Sequence, residues 1–197
     1  MNIIEVPDVI PKLYQEQVEA ELASDRFVWC FHDEAAHSGG RFKESYSGFS
    51  HMAFLTEVDG RPPIQSPVSH MLLPILFMYC DKAGLEYNAL LRIRVGLFPK
   101  TRIQTKHHNP HVDFSQPHHT AVYYVNDSDG DTVVFDQTVN EVPVSQAARF
   151  ANDNKFKIAG RVSPARGKMM GFDGLHYHAS MHPMKASKRI AVTFNFA

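Results

Sequence analysis

His111-Val112-Asp113 places an imidazole and a carboxylate two residues apart. In an extended segment such residues project to the same side, so both would enter one space. A further histidine from another strand would complete a two-histidine, one-carboxylate facial triad. That set holds ferrous iron on one face and leaves its remaining positions open. The open positions are what oxygen chemistry needs, because an ion ligated wholly by protein has no room for a co-substrate and dioxygen. The pattern H-x-D is common by chance, so its meaning depends on a third ligand downstream.

Downstream lies Gly167-Lys168-Met169-Met170-Gly171-Phe172-Asp173-Gly174-Leu175-His176-Tyr177-His178, then Lys188-Arg189-Ile190-Ala191-Val192-Thr193-Phe194-Asn195-Phe196. Here the chain resembles the Fe(II)- and 2-oxoglutarate-dependent oxygenases, especially their prolyl 4-hydroxylase-like branch. That family shows H-x-D, a strand ending in Phe, a histidine six residues later and an arginine about ten further on. In this chain His178 follows Phe172 by six and precedes Arg189 by eleven. Between them, Tyr123-Tyr124-Val125-Asn126 and Gly130-Asp131-Thr132-Val133-Val134-Phe135 look like the family's Tyr-Leu-Asn strand and its Gly-x-Thr-x-Phe return. The resemblance covers residues 90–197.

The resemblance implies that His111, Asp113 and His178 hold Fe(II). It gives Arg189 the C5 carboxylate of 2-oxoglutarate, by a charge-assisted bond that a guanidinium suits, with the Tyr124 hydroxyl donating to the same group. Thr193, on the Arg189 face of its strand, would add a bond; the residue where many relatives carry Ser or Thr is Ala191 here. Arg94, Phe98 and Asn195 are the expected substrate contacts, and the loop from Phe98 to Pro110 would cover the iron. The implied reaction is hydroxylation of an aliphatic C–H by dioxygen, with 2-oxoglutarate leaving as succinate and CO2 and ascorbate keeping the iron reduced. The implied substrate is an amino-acid side chain, free or within a peptide or protein.

Other residues compete for these roles. His107, His108, His118 and His119 flank the H-x-D, and His176 and His182 flank His178. His176 shares strand parity with His178; the spacings to Phe172 and Arg189 select His178. The flanking histidines read as loop or pocket-rim residues, and His32, His37, His51 and His70 as surface or core-edge ones. Arg92 and Arg94 alternate with Leu91, Ile93 and Val95, so both face away from the apolar side. That face is either solvated or brings one of them to the pocket. Asp127-Ser128-Asp129-Gly130-Asp131 has its glycine too early for a calcium loop and reads as a turn.

The elements that would position these groups follow from periodicity. Ile3–Val6 predicts a strand and residues 12–23 a helix with Leu13, Tyr14, Val18 and Leu22 on one stripe. Phe27–Phe31 and Phe49–Leu55 predict strands, and residues 32–45, with Gly39-Gly40, a loop. A turn is expected at 59–63. A second helix begins where Ser66 would cap and Pro67 fits the first turn, and Gly84 ends it. After residue 88 come short strands: Leu90–Leu97, His111–Phe114, Thr120–Val125, Thr132–Phe135, Phe156–Val162, Lys168–Phe172, Tyr177–Met181 and Arg189–Phe196, with a short helix at 145–151. Strands in this number after N-terminal helices predict a mainly β (α+β) chain built on a jelly-roll, cupin-like, double-stranded β-helix barrel. Residues 1–89 would support a core over 90–197, in one domain.

Composition sets the outer limits. The 197 residues are 44% hydrophobic and 21% charged, which excludes disordered and fibrous classes. Twenty basic residues against 21 acidic ones give a net charge of −1, without the excess of positive charge that phosphate tracking requires. A nucleobase-oxidising relative is therefore the weaker reading, as is a cupin-like metal-binding module that does not turn over and has no use for Arg189. Two cysteines, Cys30 and Cys80, are too few for a disulfide framework and are expected in the core. With no signal-like or spanning segment, a cytoplasmic protein without a membrane partner is expected.

Overall fold

The computed structural model describes residues 1–33, 47–57, 60, 62–102 and 107–197. The expected 32–45 loop with His37, most of the 59–63 turn and part of the loop to Pro110 lie outside the described residues. Eleven strands are described: β1 (Ile4–Val6), β2 (Cys30–His32), β3 (Gly48–Leu55), β4 (Ile64–Gln65), β5 (Leu90–Pro99), β6 (His119–Tyr124), β7 (Thr132–Thr138), β8 (Ile158–Val162), β9 (Met169–Asp173), β10 (His176–Ser180) and β11 (Lys188–Phe196). They are accompanied by α1 (Lys12–Leu22), α2 (Ser69–Ala83) and α3 (Val144–Asn152). The larger sheet runs β1-β9-β6-β11-β5-β3-β2, with β4 on β3; the smaller runs β10-β7-β8. All the strand pairings are antiparallel.

Strand alternation builds the layers. On β11, Ile190, Val192, Phe194 and Phe196 join Ala121, Tyr123 and Val125 in a core shared with Val18, Leu22, Leu72, Ile75 and Tyr79 of the two helices. The opposite face, with Val122, Tyr124, Met170, Phe172 and Ala191, packs on Val134 and Val162 of the smaller sheet. Beyond that sheet, Val133, Phe135, Tyr177 and Ala179 pack on Ala147 of α3. Helices, large sheet, small sheet and α3 therefore stack in that order, and the space between the sheets is lined by every second residue of each strand. The N-terminal third does more than support: β1 pairs with β9, and β3 with β5, inside the same sheet.

Three local expectations are corrected. Helix α2 starts after Val68 with no side-chain cap, because the Ser66 hydroxyl lies 2.8 Å from His51 Nε2 instead. Gly84 ends it in the left-handed conformation at φ 65° as expected, with Pro74 inside. Cys30 is exposed rather than buried, since β2 is the last strand of its sheet. Residues 111–114 form no strand; His111 makes a single antiparallel bridge to His178. Among the described residues, no helix is long and apolar enough to cross a membrane.

Candidate metal and diacid site

The bridge positions the histidines. His111 N–H donates to His178 O at 3.0 Å and His178 N–H to His111 O at 2.9 Å. This pair of hydrogen bonds sets both rings on one side, with centroids 4.5 Å apart. His111 Nδ1 donates to Asn109 O at 3.0 Å; a carbonyl only accepts, so Nδ1 carries the proton and Nε2 presents its lone pair. His178 Nδ1 faces His176 O at a longer 3.4 Å. The two Nε2 atoms each stand 3.8 Å from an Asp113 oxygen, and one donor atom from each of the three residues lies within 4.8 Å of the others. His176, the competitor by parity, is separated from His178 by a register shift against β7, and its Nδ1 donates to Phe135 O.

Burial pushes the His178 imidazole down to about 3, with His111 adding to the effect. Burial also lowers His111. Burial alone would raise Asp113, but Arg92, His178 and His111 hold it well below the ordinary carboxylate value. Two neutral imidazoles and an ionised carboxylate are the protonation states in which these groups bind a cation. The residues therefore fit the ferrous triad they resemble.

A closed network fixes the carboxylate. Arg92 Nη2 meets Asp113 Oδ1 at 2.5 Å, and Asn195 Nδ2 donates to Asp113 Oδ2 at 2.9 Å. Arg92 Nε donates to Asn195 Oδ1 at 2.9 Å, and the second Asn195 proton goes to Thr120 Oγ1 at 3.0 Å. Asn195, expected at the substrate, is thus wholly buried and committed to the metal side. Arg92 belongs to the pocket rather than to a solvated face.

The other end is open. Arg189 is only 2% exposed, and its Nη2 donates to Thr132 Oγ1 at 2.9 Å. Among the described residues its buried Nε has no hydrogen-bond partner, and its guanidinium lies over the Phe98 and Tyr124 rings, 5.7 Å from each centroid. Tyr124 spends its hydroxyl proton on Thr132 Oγ1 at 2.8 Å, and its oxygen lies 3.1 Å from the Met170 sulfur. Thr132, which sequence reasoning left unassigned, accepts from both neighbours and keeps its own proton for the pocket it lines. Gly130 makes this end possible: a Cβ there would meet Met181 O at 2.5 Å and Arg189 Cδ at 3.1 Å.

Between the ends, β5 and β11 face the pocket as a ladder. Its rungs are Phe98–Arg189, Gly96–Ala191, Arg94–Thr193 and Arg92–Asn195. The small second rung leaves a hollow, and the pocket encloses about 590 Å³ counting its open mouth. Phe98, Arg94 and Thr193 all line it. His108 and His182, buried beside Phe98, form an aromatic wall with ring centroids 4.7 Å apart. The period-two pattern of β5 was the signal for Arg92; nothing local pointed to Asn195 as its partner.

No protein-family model and no curated protein matches the chain. Among solved structures it is similar to an oxidoreductase of the 2OG-Fe(II) oxygenase family from Burkholderia pseudomallei, at 15% identity and a TM-score of 0.67, covering 99% of this chain and 84% of that one. It is similar to a Pseudomonas putida prolyl-4-hydroxylase at 13% identity and a TM-score of 0.55, covering 98% and 91%. A third is the non-heme alpha ketoglutarate dependent epimerase SnoN from nogalamycin biosynthesis, at 13% identity and a TM-score of 0.60, covering 99% and 77%. The chain has the fold of the 2OG-Fe(II) oxygenases.

Proposed function

We propose that the protein is an Fe(II)- and 2-oxoglutarate-dependent dioxygenase that hydroxylates an aliphatic C–H, acting as one unit over its whole length. The observation that carries this reading is Arg189: a buried guanidinium facing the same pocket as His111, Asp113 and His178, with a polar atom left unsatisfied among the described residues. Buried polar groups are normally bonded, so this one is built for an incoming anion. When bound, ferrous iron and 2-oxoglutarate supply oxidation of the substrate C–H to an alcohol by dioxygen, with the 2-oxo acid leaving as succinate and carbon dioxide.

The chain's own residues have separable tasks. His111, Asp113 and His178 hold the metal on one side. Arg92 and Asn195 keep the Asp113 carboxylate turned toward it. Arg189 binds the far carboxylate of the diacid, Thr132 donates its remaining proton to the same group, and Tyr124 orients Thr132. Phe98, His108 and the Gly96–Ala191 rung shape a partly apolar hollow and exclude water. The similar structures include both a hydroxylase and an epimerase, so the fold does not select the substrate; an amino-acid side chain, free or within a peptide or protein, is proposed from the resemblance to the prolyl 4-hydroxylase-like branch.

Purified protein given Fe(II), ascorbate and 2-oxoglutarate is expected to form succinate above an Asp113→Ala control. No succinate above that control overturns the reading. A non-catalytic metal module would keep its metal affinity and its function in Arg189→Ala, which the dioxygenase would not.

A further inference from the structure

Asn195 braces Asp113, but an amide keeps one direction only when both of its ends are committed. Arg92 Nε can only donate, so the amide oxygen faces it, at 2.9 Å. The two Nδ2 protons then go to Asp113 Oδ2 at 2.9 Å and to Thr120 Oγ1 at 3.0 Å. Thr120 is wholly buried, and having accepted from Asn195 it must place its own proton elsewhere. His118 Nε2 lies 3.2 Å from that hydroxyl.

His118 is arranged to take that proton. Its Nδ1 lies 2.9 Å from Gln116 O, and a carbonyl only accepts, so Nδ1 carries the proton of the ring. Burial holds the imidazole below its ordinary value and therefore neutral, which leaves Nε2 as a lone pair. The residue is 5% exposed and pinned in place. Gly174 N–H donates to His118 O at 2.8 Å, and a Cβ on Gly174 would clash with the ring. Phe114 meets the ring edge-on with centroids 5.4 Å apart, and the Arg92 guanidinium lies over the same Phe114 ring, 5.4 Å from its centroid. The contacts thus close a circuit from Arg92 through Asn195, Thr120, His118 and Phe114 back to Arg92, with Asp113 bonded to its first two members.

We propose that His118 is a positioning residue for the metal: acting through Thr120 and Asn195, it fixes the direction of the hydrogen bonds that hold the Asp113 carboxylate. The inference rests on the metal role of Asp113 in the proposed function. Hydrogen bonds in a chain polarise one another, so an acceptor lost at its far end weakens the grip on Asp113. The role requires an acceptor at the Nε2 position and not an imidazole as such, which separates it from simple packing.

The test compares two polar replacements. The amide of His118→Gln reaches the Nε2 position and can accept from Thr120; that of His118→Asn reaches only the Nδ1 position and cannot. Manganese(II) affinity by calorimetry is the first readout, urea unfolding of the metal-free protein the second, and the KM for 2-oxoglutarate at saturating Fe(II) the third. His118→Asn is expected to weaken manganese(II) binding about tenfold, the lower end of the loss for a partner that orients a metal ligand. His118→Gln should restore most of that affinity, and neither should move the KM for 2-oxoglutarate. Thr120→Val keeps the shape of the side chain and removes the link, so it should lose affinity as well. It decides the matter if His118→Asn does not fold. Unchanged manganese(II) affinity in Thr120→Val overturns the proposal. So does a loss in His118→Gln as large as in His118→Asn, or an affinity loss in His118→Asn that the KM for 2-oxoglutarate follows in step. Affinities that shift as expected in a protein that forms no succinate would uphold the positioning role and strike the dioxygenase reading alone. An unaltered protein that binds no manganese(II) overturns both.

Discussion

The two ends of the pocket handle buried charge in opposite ways. At the metal end both oxygens of Asp113 are bonded, by Arg92 and Asn195, and those two are bonded to each other. At the opposite end, among the described residues, Arg189 has one hydroxyl acceptor and a buried nitrogen with none. A closed polar network is pre-organised and stabilises the fold; a half-satisfied one costs stability until a ligand completes it. In the proposed function the first end is a positioning device and the second a binding device; β5 and β11 contribute to both, and β7 adds Thr132 to the second.

This contrast can be broken by substitution. The largest effect is expected from Asp113→Ala, which leaves the Arg92 charge buried and uncompensated. It should lower stability by about 3–5 kcal/mol, the usual cost of breaking a buried pair, and abolish calorimetric binding of Fe(II) or manganese(II). Urea unfolding of the metal-free protein checks the first part, and unchanged stability would refute the closed network. Arg189→Met should act in the other direction on stability. It removes a buried charge that makes no salt bridge among the described residues, so the melting temperature should hold or rise. The KM for 2-oxoglutarate should meanwhile increase by the equivalent of about 1.5–3 kcal/mol.

A smaller loss is expected from Thr132→Val, about 0.5–1.5 kcal/mol in co-substrate affinity, because the proton that completes the diacid end disappears while the fold is kept. The smallest effect at neutral pH concerns the imidazoles. His178 is pushed from 6.5 to about 3 in the folded chain by burial, so the unfolded chain binds the proton first. Stability of the metal-free protein should therefore be full above about pH 6.5 and decline as pH falls toward 3. Denaturation at several pH values, compared with His178→Gln, checks this; a slope unaltered by the substitution would show that the histidine does not carry it.

Much of the fold was legible because burial follows alternation. The strands at 90–97, 120–125, 132–135 and 189–196 were each found within a few residues, since each buries one face on a core and the period-two pattern records it. The His111–Phe114 segment was misread as a strand because its extended look comes from one bridge to β10, a tertiary contact with no local signature. Ser66 failed as a cap because a neighbouring strand's His51 claims its hydroxyl. Cys30 was placed inside because a short apolar run does not reveal that its strand ends a sheet.

By itself, the order of residue types determined the ligand candidates, the arginine proposed through the family resemblance for a diacid, and a layered β architecture, since spacing and alternation are properties of one chain segment at a time. The fates of Arg92 and Asn195, and the claim of Thr132 on Arg189, were decided only when the two sheets closed on each other. Partners drawn from separate strands are chosen by register and by the exclusion of water, and neither exists until the chain is folded.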